Sequence, residues 1–225
     1  MAIAAQLPSF DIADLCLLRS RHLRTLFQEQ QQQWREILHW DYGPSTEMIR
    51  RHIDAHSLPG FAALVRGETV GYGFYVFEDH KGLIGDLYVR PAYEGVPGAG
   101  KERGIATRLL REILNAIEKS PVVRRIETQL MWFGADPIGQ VFTRAGFGAF
   151  PRLFMYRHLP GPANFPSAVP HRPVELNEWN DLYFEEMAGL IRSAYEDHVD
   201  SAINDQYTSV DGAMRFLKNI VIFPG

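Results

Sequence analysis

A mixed α/β fold, with a mostly antiparallel central sheet flanked by helices and a helical C-terminal segment, is the architecture this sequence predicts. Three observations point there. Three β-prone runs follow one another between Phe61 and Val89. A small-residue loop then leads into an amphipathic helical run, Lys101-Glu102-Arg103-Gly104-Ile105-Ala106 and onward. Beyond a proline-rich stretch at 159–173, only helical periodicity is present.

Leu15, Leu18, His22, Leu23 and Leu26 recur at helical spacing, so a first helix is expected from about Asp11 to Gln33, capped by Asp11 or Asp14. Ser45-Thr46-Glu47 opens a second helix to about His56, stopped by Pro59-Gly60. Phe61–Arg66, a Gly67-Glu68 turn, Thr69–Phe77 and Leu83–Val89 then read as an antiparallel meander. After the helix at about 103–119, Ser120-Pro121 breaks the chain and Val123–Leu130 reads as a fourth strand. Asp136-Pro137 has the form of an N-cap with proline at the first helical position, and this short helix ends at Ala145-Gly146. Phe147–Arg157 is expected to add further strand.

Pro160, Gly161, Pro162, Pro166, Pro170 and Pro173 mark a linker. The expected organisation is therefore a domain over 1–158, a linker over 159–173 and a helical segment over 174–225, with helices at Asn177–Asp197 and Asp211–Asn219. The segment from Tyr207 to Pro224-Gly225 repeats the plan of Tyr42 to Pro59-Gly60: an aromatic residue, a short helix, then Pro-Gly. Similarity at a fixed offset suggests that the tail begins a second copy.

The net charge of −4 gives no global case for nucleic-acid binding. A single cysteine, Cys16, excludes an intrachain disulfide and fits a reducing, cytoplasmic setting, with Cys16 expected as a small core residue. No apolar run is long enough to span a bilayer, and the first ten residues lack the pattern of a secretory signal. The eight histidines show no metal-ligand spacing; His52 and His56, four apart on a helix, have no evident third partner.

A strand, a small-residue loop and a helix N-terminus together form an anion site, because free N–H groups and the helix dipole converge there. Arg103, Arg108 and Arg111 lie on the same helix. A phosphate-bearing ligand is the leading expectation.

Gly104 and Ala106 within Lys101–Ala106, the run Asp86-Leu87-Tyr88-Val89-Arg90-Pro91 before it, and Val141-Phe142-Thr143-Arg144-Ala145-Gly146-Phe147 after it resemble, in order, segments of the GCN5-related N-acetyltransferases, the GNAT superfamily. The resemblance covers roughly residues 10–158. It implies acetyl-CoA as cosubstrate, with backbone amides of Lys101, Glu102, Arg103, Gly104, Ile105, Ala106 and Thr107 on the diphosphate. The pantetheine arm would lie along the backbone of Leu87, Tyr88 and Val89. The acceptor would be an amine of a small molecule or peptide. Asp86 is the expected acceptor of the amine proton or holder of a cationic substrate, with Glu127 a weaker second.

Two departures stand out. The 92–100 segment lengthens the loop. Phe142 occupies the position where the family commonly has a tyrosine as general acid, which leaves Tyr88 or Tyr93 as substitutes. A coenzyme A-binding module with little activity, serving regulation or scaffolding, is the first rival, and an interaction domain without nucleotide binding the second. Apolar residues on the tail helices, such as Leu190, Ile191, Phe216 and Leu217, are compatible with a homodimer.

Overall fold

The computed structural model describes residues 9–94, 104–131, 137–159 and 175–222. It comprises two compact units, one ending at Tyr156 and one beginning at Arg157.

The first unit is built on a five-stranded sheet in the order β1 (Asp11–Asp14), β2 (Gly60–Val65), β3 (Glu68–Glu78), β4 (Lys81–Val89) and β5 (Arg125–Thr128). The first four strands form an antiparallel meander, and β5 joins β4 in parallel. The first predicted helix is corrected: Asp11–Asp14 is strand, pairing Ile12 with Ala63. Short 3-10 turns at Leu15–Leu17 and Ser20–Leu23 separate it from helix α1 (Arg24–Leu38). The leucine spacing was real, but Leu15 and Leu23 reach the core from these turns while Leu17 is exposed.

Helices α1 and α2 (Gly43–Asp54) cover one face of the sheet. Leu26, Phe27, Trp34, Ile49 and Ile53 pack there on Ala62, Tyr72 and Tyr88. Helix α3 (Ile105–Glu118) covers the other face, with Leu109, Leu110, Ile113 and Ile117 buried against strand residues that include Ile84, Val70 and Val89. Its apolar residues at 105, 109, 110, 113, 114 and 117 make one continuous stripe, so docking on a sheet is its stable arrangement. Helix α4 (Pro137–Arg144) packs beside it through Ile138 and Val141. Asp136, the expected cap, lies outside the described residues.

Phe147–Arg157 forms no strand. Pro151 cannot donate to a ladder, and Leu153 and Met155 are exposed. Cys16 is half-buried rather than core, its thiol donating to the Leu58 carbonyl at 3.4 Å.

The second unit contains α5 (Phe184–Ala194), α6 (Val199–Ile203) and α7 (Val210–Ile222), with a small core of Ala188, Ala213 and Leu217. α6 is an element the sequence reading did not separate.

Candidate active site

The register of β4 against β3 decides which backbone groups are free. Arg90 N–H donates to the Val70 carbonyl at 2.9 Å. Bonded pairs alternate in an antiparallel ladder, so Tyr88, opposite Tyr72, spends its N–H and C=O on β3. Leu87 and Val89 therefore point their N–H and C=O away from β3. On that far side β5 reaches only to Ile84, opposite Thr128, whose hydroxyl donates to the Ile84 carbonyl at 3.1 Å. Among the described residues no strand pairs with β4 beyond this point. Of the three residues expected to offer an open edge, Leu87 and Val89 turn their backbone groups to it, with the Leu87 N–H held by the Asp86 carboxylate, and Tyr88 does not.

The pairing slips by one residue between Phe74 and Tyr75, so that Phe74 lies opposite Asp86 and Tyr75 opposite Ile84. Gly85 is the extra residue, an exposed bulge within the strand. The Phe74 ring lies over it: a Cβ at Gly85 would meet Phe74 Cε2 at 2.1 Å.

Side chains alternate from this bulge onward. Leu87 and Val89 face α3, sharing one apolar cluster with Ile105, Ala106 and Leu109. The open end of β4 and the first turn of α3 are thus packed together. Gly104 precedes that turn with φ 96°, a conformation L-residues resist, and no side chain caps the helix. Among the described residues, a Cβ at Gly104 would meet nothing within 4 Å. The first intrahelical bond runs from Arg108 N–H to Gly104 C=O at 3.2 Å, which leaves the N–H groups of Ile105, Ala106 and Thr107 without helical partners. The side chains of Ile105 and Thr107 are buried, so only their backbone is on offer. Lys101, Glu102 and Arg103 lie outside the described residues. Arg108 reaches along the helix to Glu112 at 2.6 Å, and Arg111 lines a groove with Asn115, Glu118 and Arg144.

Asp86 and Tyr88 face α1 and α2. Asp86 lies within β4 and is 9% exposed. Its Oδ2 accepts from Gln30 Nε2 (2.8 Å), the Tyr42 hydroxyl (3.0 Å) and the Tyr72 hydroxyl (2.6 Å). Its Oδ1 accepts from the Leu87 N–H at 2.8 Å. Burial, reinforced by the neighbouring carboxylate, pushes the Tyr42 and Tyr72 phenols far above their usual range, so both remain protonated donors. The Tyr88 hydroxyl donates to Gln33 Oε1 at 2.9 Å, and burial raises it as well.

Arg90 clamps the exit of β4. It holds Glu29 through two bonds (2.9 and 2.6 Å), also pairs with Glu68, and lies 5.5 Å from the Tyr93 ring centre. Glu127, the second carboxylate candidate, is engaged by Lys81 (3.7 Å) and Arg125. Phe142 packs edge-on against Phe147 at 4.9 Å.

Gln30, Tyr42 and Tyr72 were not singled out from the sequence. Gln30 had a signal: it falls on the stripe Leu23, Leu26, Phe27, Trp34 of α1, and a polar residue on a buried stripe needs a buried partner. The bulge that aims Asp86 left no comparable trace.

A family comparison bears on this geometry. Residues 22–130 match the model of the acetyltransferase (GNAT) family. This domain belongs to the GNAT family. The match takes in the open edge of β4 and the uncapped start of α3, and acyl transfer is the chemistry of that family. Solved structures similar to this chain include a GNAT-family acetyltransferase from Streptococcus pneumoniae TIGR4, at 18% identity and TM-score 0.42 over 66% of this chain and 99% of that one. A ribosomal-protein-alanine N-acetyltransferase from Brucella melitensis biovar Abortus 2308 aligns at 15% identity and TM-score 0.40, over 67% and 100%. The aminoglycoside N-acetyltransferase AAC(6')-Iy in complex with CoA aligns at 19% identity and TM-score 0.40, over 69% and 99%. No curated protein matches the chain. No helix among the described residues is long and apolar enough to cross a membrane.

Proposed function

We propose that the GNAT domain moves an acetyl group from acetyl-CoA to a primary amine of a small molecule or peptide. The observation that carries this is the backbone edge of Leu87 and Val89, which no strand among the described residues pairs, packed through one apolar cluster against the first turn of α3. An extended amide-bearing arm is held by such an edge as an added strand is held, and a diphosphate suits partnerless N–H groups at a helix start. Acetyl-CoA supplies an activated acyl group as a thioester. The chain would bind and orient: Gly104–Thr107, with Lys101–Arg103 before them, would hold the diphosphate, and the Leu87 N–H would polarise the acyl carbonyl. Asp86 is the candidate acceptor for the amine proton. Tyr88 is the other candidate, as a proton donor, its hydroxyl donating to Gln33 in the free domain.

Calorimetric titration with acetyl-CoA tests this, using Gly104→Glu as control. Binding by the parent and loss in the variant is the expected result, because a carboxylate at the helix start repels the diphosphate. No binding by the parent would overturn the reading.

A coenzyme A-binding module of low turnover is favoured by one observation: Phe142, on α4, has no proton to give a leaving thiolate. Release of free thiol from acetyl-CoA across an amine panel separates the two readings. We also propose that the second unit begins another copy of the domain, since in both units a 3-10 turn runs directly into a helix: Ser20–Leu23 into Arg24, and Asp181–Tyr183 into Phe184.

A further inference from the structure

We infer that Asp86 and the Leu87 amide form a partner-exchanging pair. In the free domain Asp86 Oδ1 occupies the Leu87 N–H; an acyl carbonyl that takes this N–H releases Oδ1 to receive the proton of an incoming ammonium. The inference rests on the acetyl-transfer reading above.

The two carboxylate oxygens are used unequally. Oδ2 receives three donors, from Gln30, Tyr42 and Tyr72, while Oδ1 receives only the Leu87 N–H. The three donors come from α1, from the residue just before α2, and from β3, so Oδ2 is pinned from three directions and the carboxylate keeps its place when Oδ1 changes partner. The Leu87 N–H points away from β3, so Oδ1 lies at the open edge of β4. Gly85, directly before Asp86, is exposed, so the backbone beside the buried carboxylate is open to a visitor. All four donors are neutral, and among the described residues no cation pairs with Asp86. A carboxylate with only neutral donors has no counter-charge beside it, and a cation is the partner such a site favours.

One N–H thus serves two acceptors in turn. An acyl carbonyl seated on the Leu87 amide displaces Oδ1, which is then the nearest vacant acceptor to the reacting carbon. The ammonium of the acceptor gives one proton to Oδ1. The nitrogen lone pair forms the C–N bond, and the C–S bond breaks with its electron pair going to sulfur. The second nitrogen proton neutralises the thiolate, and Asp86 returns its proton to solvent. The products are an amide, a thiol and one released proton. Because Oδ1 is occupied until the acyl group arrives, the acceptor is recognised only after the donor.

CoA and acetyl-CoA differ by the carbonyl that would make the exchange, which makes them the probes. Their affinities for the full chain are measured by calorimetry, and the Leu87 amide and Asp86 carboxyl carbon are followed by NMR with each ligand. The expected result is that both signals move further with acetyl-CoA than with CoA. In Asp86→Ala, where the N–H has no competitor, the ratio of acetyl-CoA to CoA affinity should rise about fivefold to tenfold, the worth of one net hydrogen bond. Should Asp86→Ala fail to fold, the NMR comparison in the parent decides alone. If both ligands bind and both signals respond equally, the exchange is overturned while the acetyl-transfer reading stands. If neither ligand binds, that reading falls and the exchange falls with it.

Discussion

Tyr72 has no exposed surface, and its hydroxyl lies 2.6 Å from Asp86 Oδ2 and 3.1 Å from Gln30 Oε1. Removing that hydroxyl leaves a buried carboxylate with one donor fewer. Tyr72→Phe is therefore expected to destabilise the first unit by about 1–3 kcal/mol, read from urea unfolding. Asp54 offers a test of opposite exposure. Hydrogen bonds from the Ser20 hydroxyl (2.7 Å) and N–H (2.8 Å) hold its carboxyl below the usual carboxylate range. A lowered folded value means that its stabilisation is present above the unfolded value of about 4 and is lost as pH falls through the folded one. The urea midpoint should drop below pH 4, and Asp54→Asn should remove part of that drop. At this scale the sequence was legible where a residue acts through its own type. Gly104 stood out as a glycine before a helix, whereas Asp86 was reached only through the resemblance to the acetyltransferase family. Gln30, Tyr42 and Tyr72 are distant in sequence, and only packing of α1 and α2 on the sheet brings them to Asp86.

Among the elements, β4 matters most, and its bulge most of all. The slip at Gly85 lets Phe74 lie over the strand and sets the phase in which Asp86 faces α1 while Leu87 faces α3. Gly85→Ala places a methyl group where Phe74 Cε2 is 2.1 Å away, so the ring must move. A loss of about 1–3 kcal/mol is expected from such overpacking, measured by thermal and urea unfolding. The meander and α3 were readable because a period of two and a period near 3.6 separate cleanly over their lengths. β1 was not: it is four residues long, and leucines at helical spacing follow it immediately. The strand expected over Phe147–Arg157 failed for a different reason. Aromatic and branched residues gave it β character, but Pro151 breaks the ladder, and pairing depends on partners that local composition does not report.

For the molecule as a whole, the two units differ greatly in what holds them. The first has helices on both faces of its sheet; the second has a described buried core of Ala188, Ala213 and Leu217. A core of that size supports only marginal stability. Urea unfolding should show two transitions, the second unit melting first, with acetyl-CoA raising only the later one. Coincident transitions with a common response to the ligand would refute this.

The pinning of Asp86 by residues from α1, the start of α2 and β3 also bears on how the chain matures. The carboxylate acquires its fixed position only when both helices have docked, so an intermediate with a formed sheet and loose helices has the strand edge without the oriented acid. What the oriented acid would meet is a cationic acceptor, so retention on an immobilised amine, rather than on a thioester, would sort finished molecules from partly folded ones.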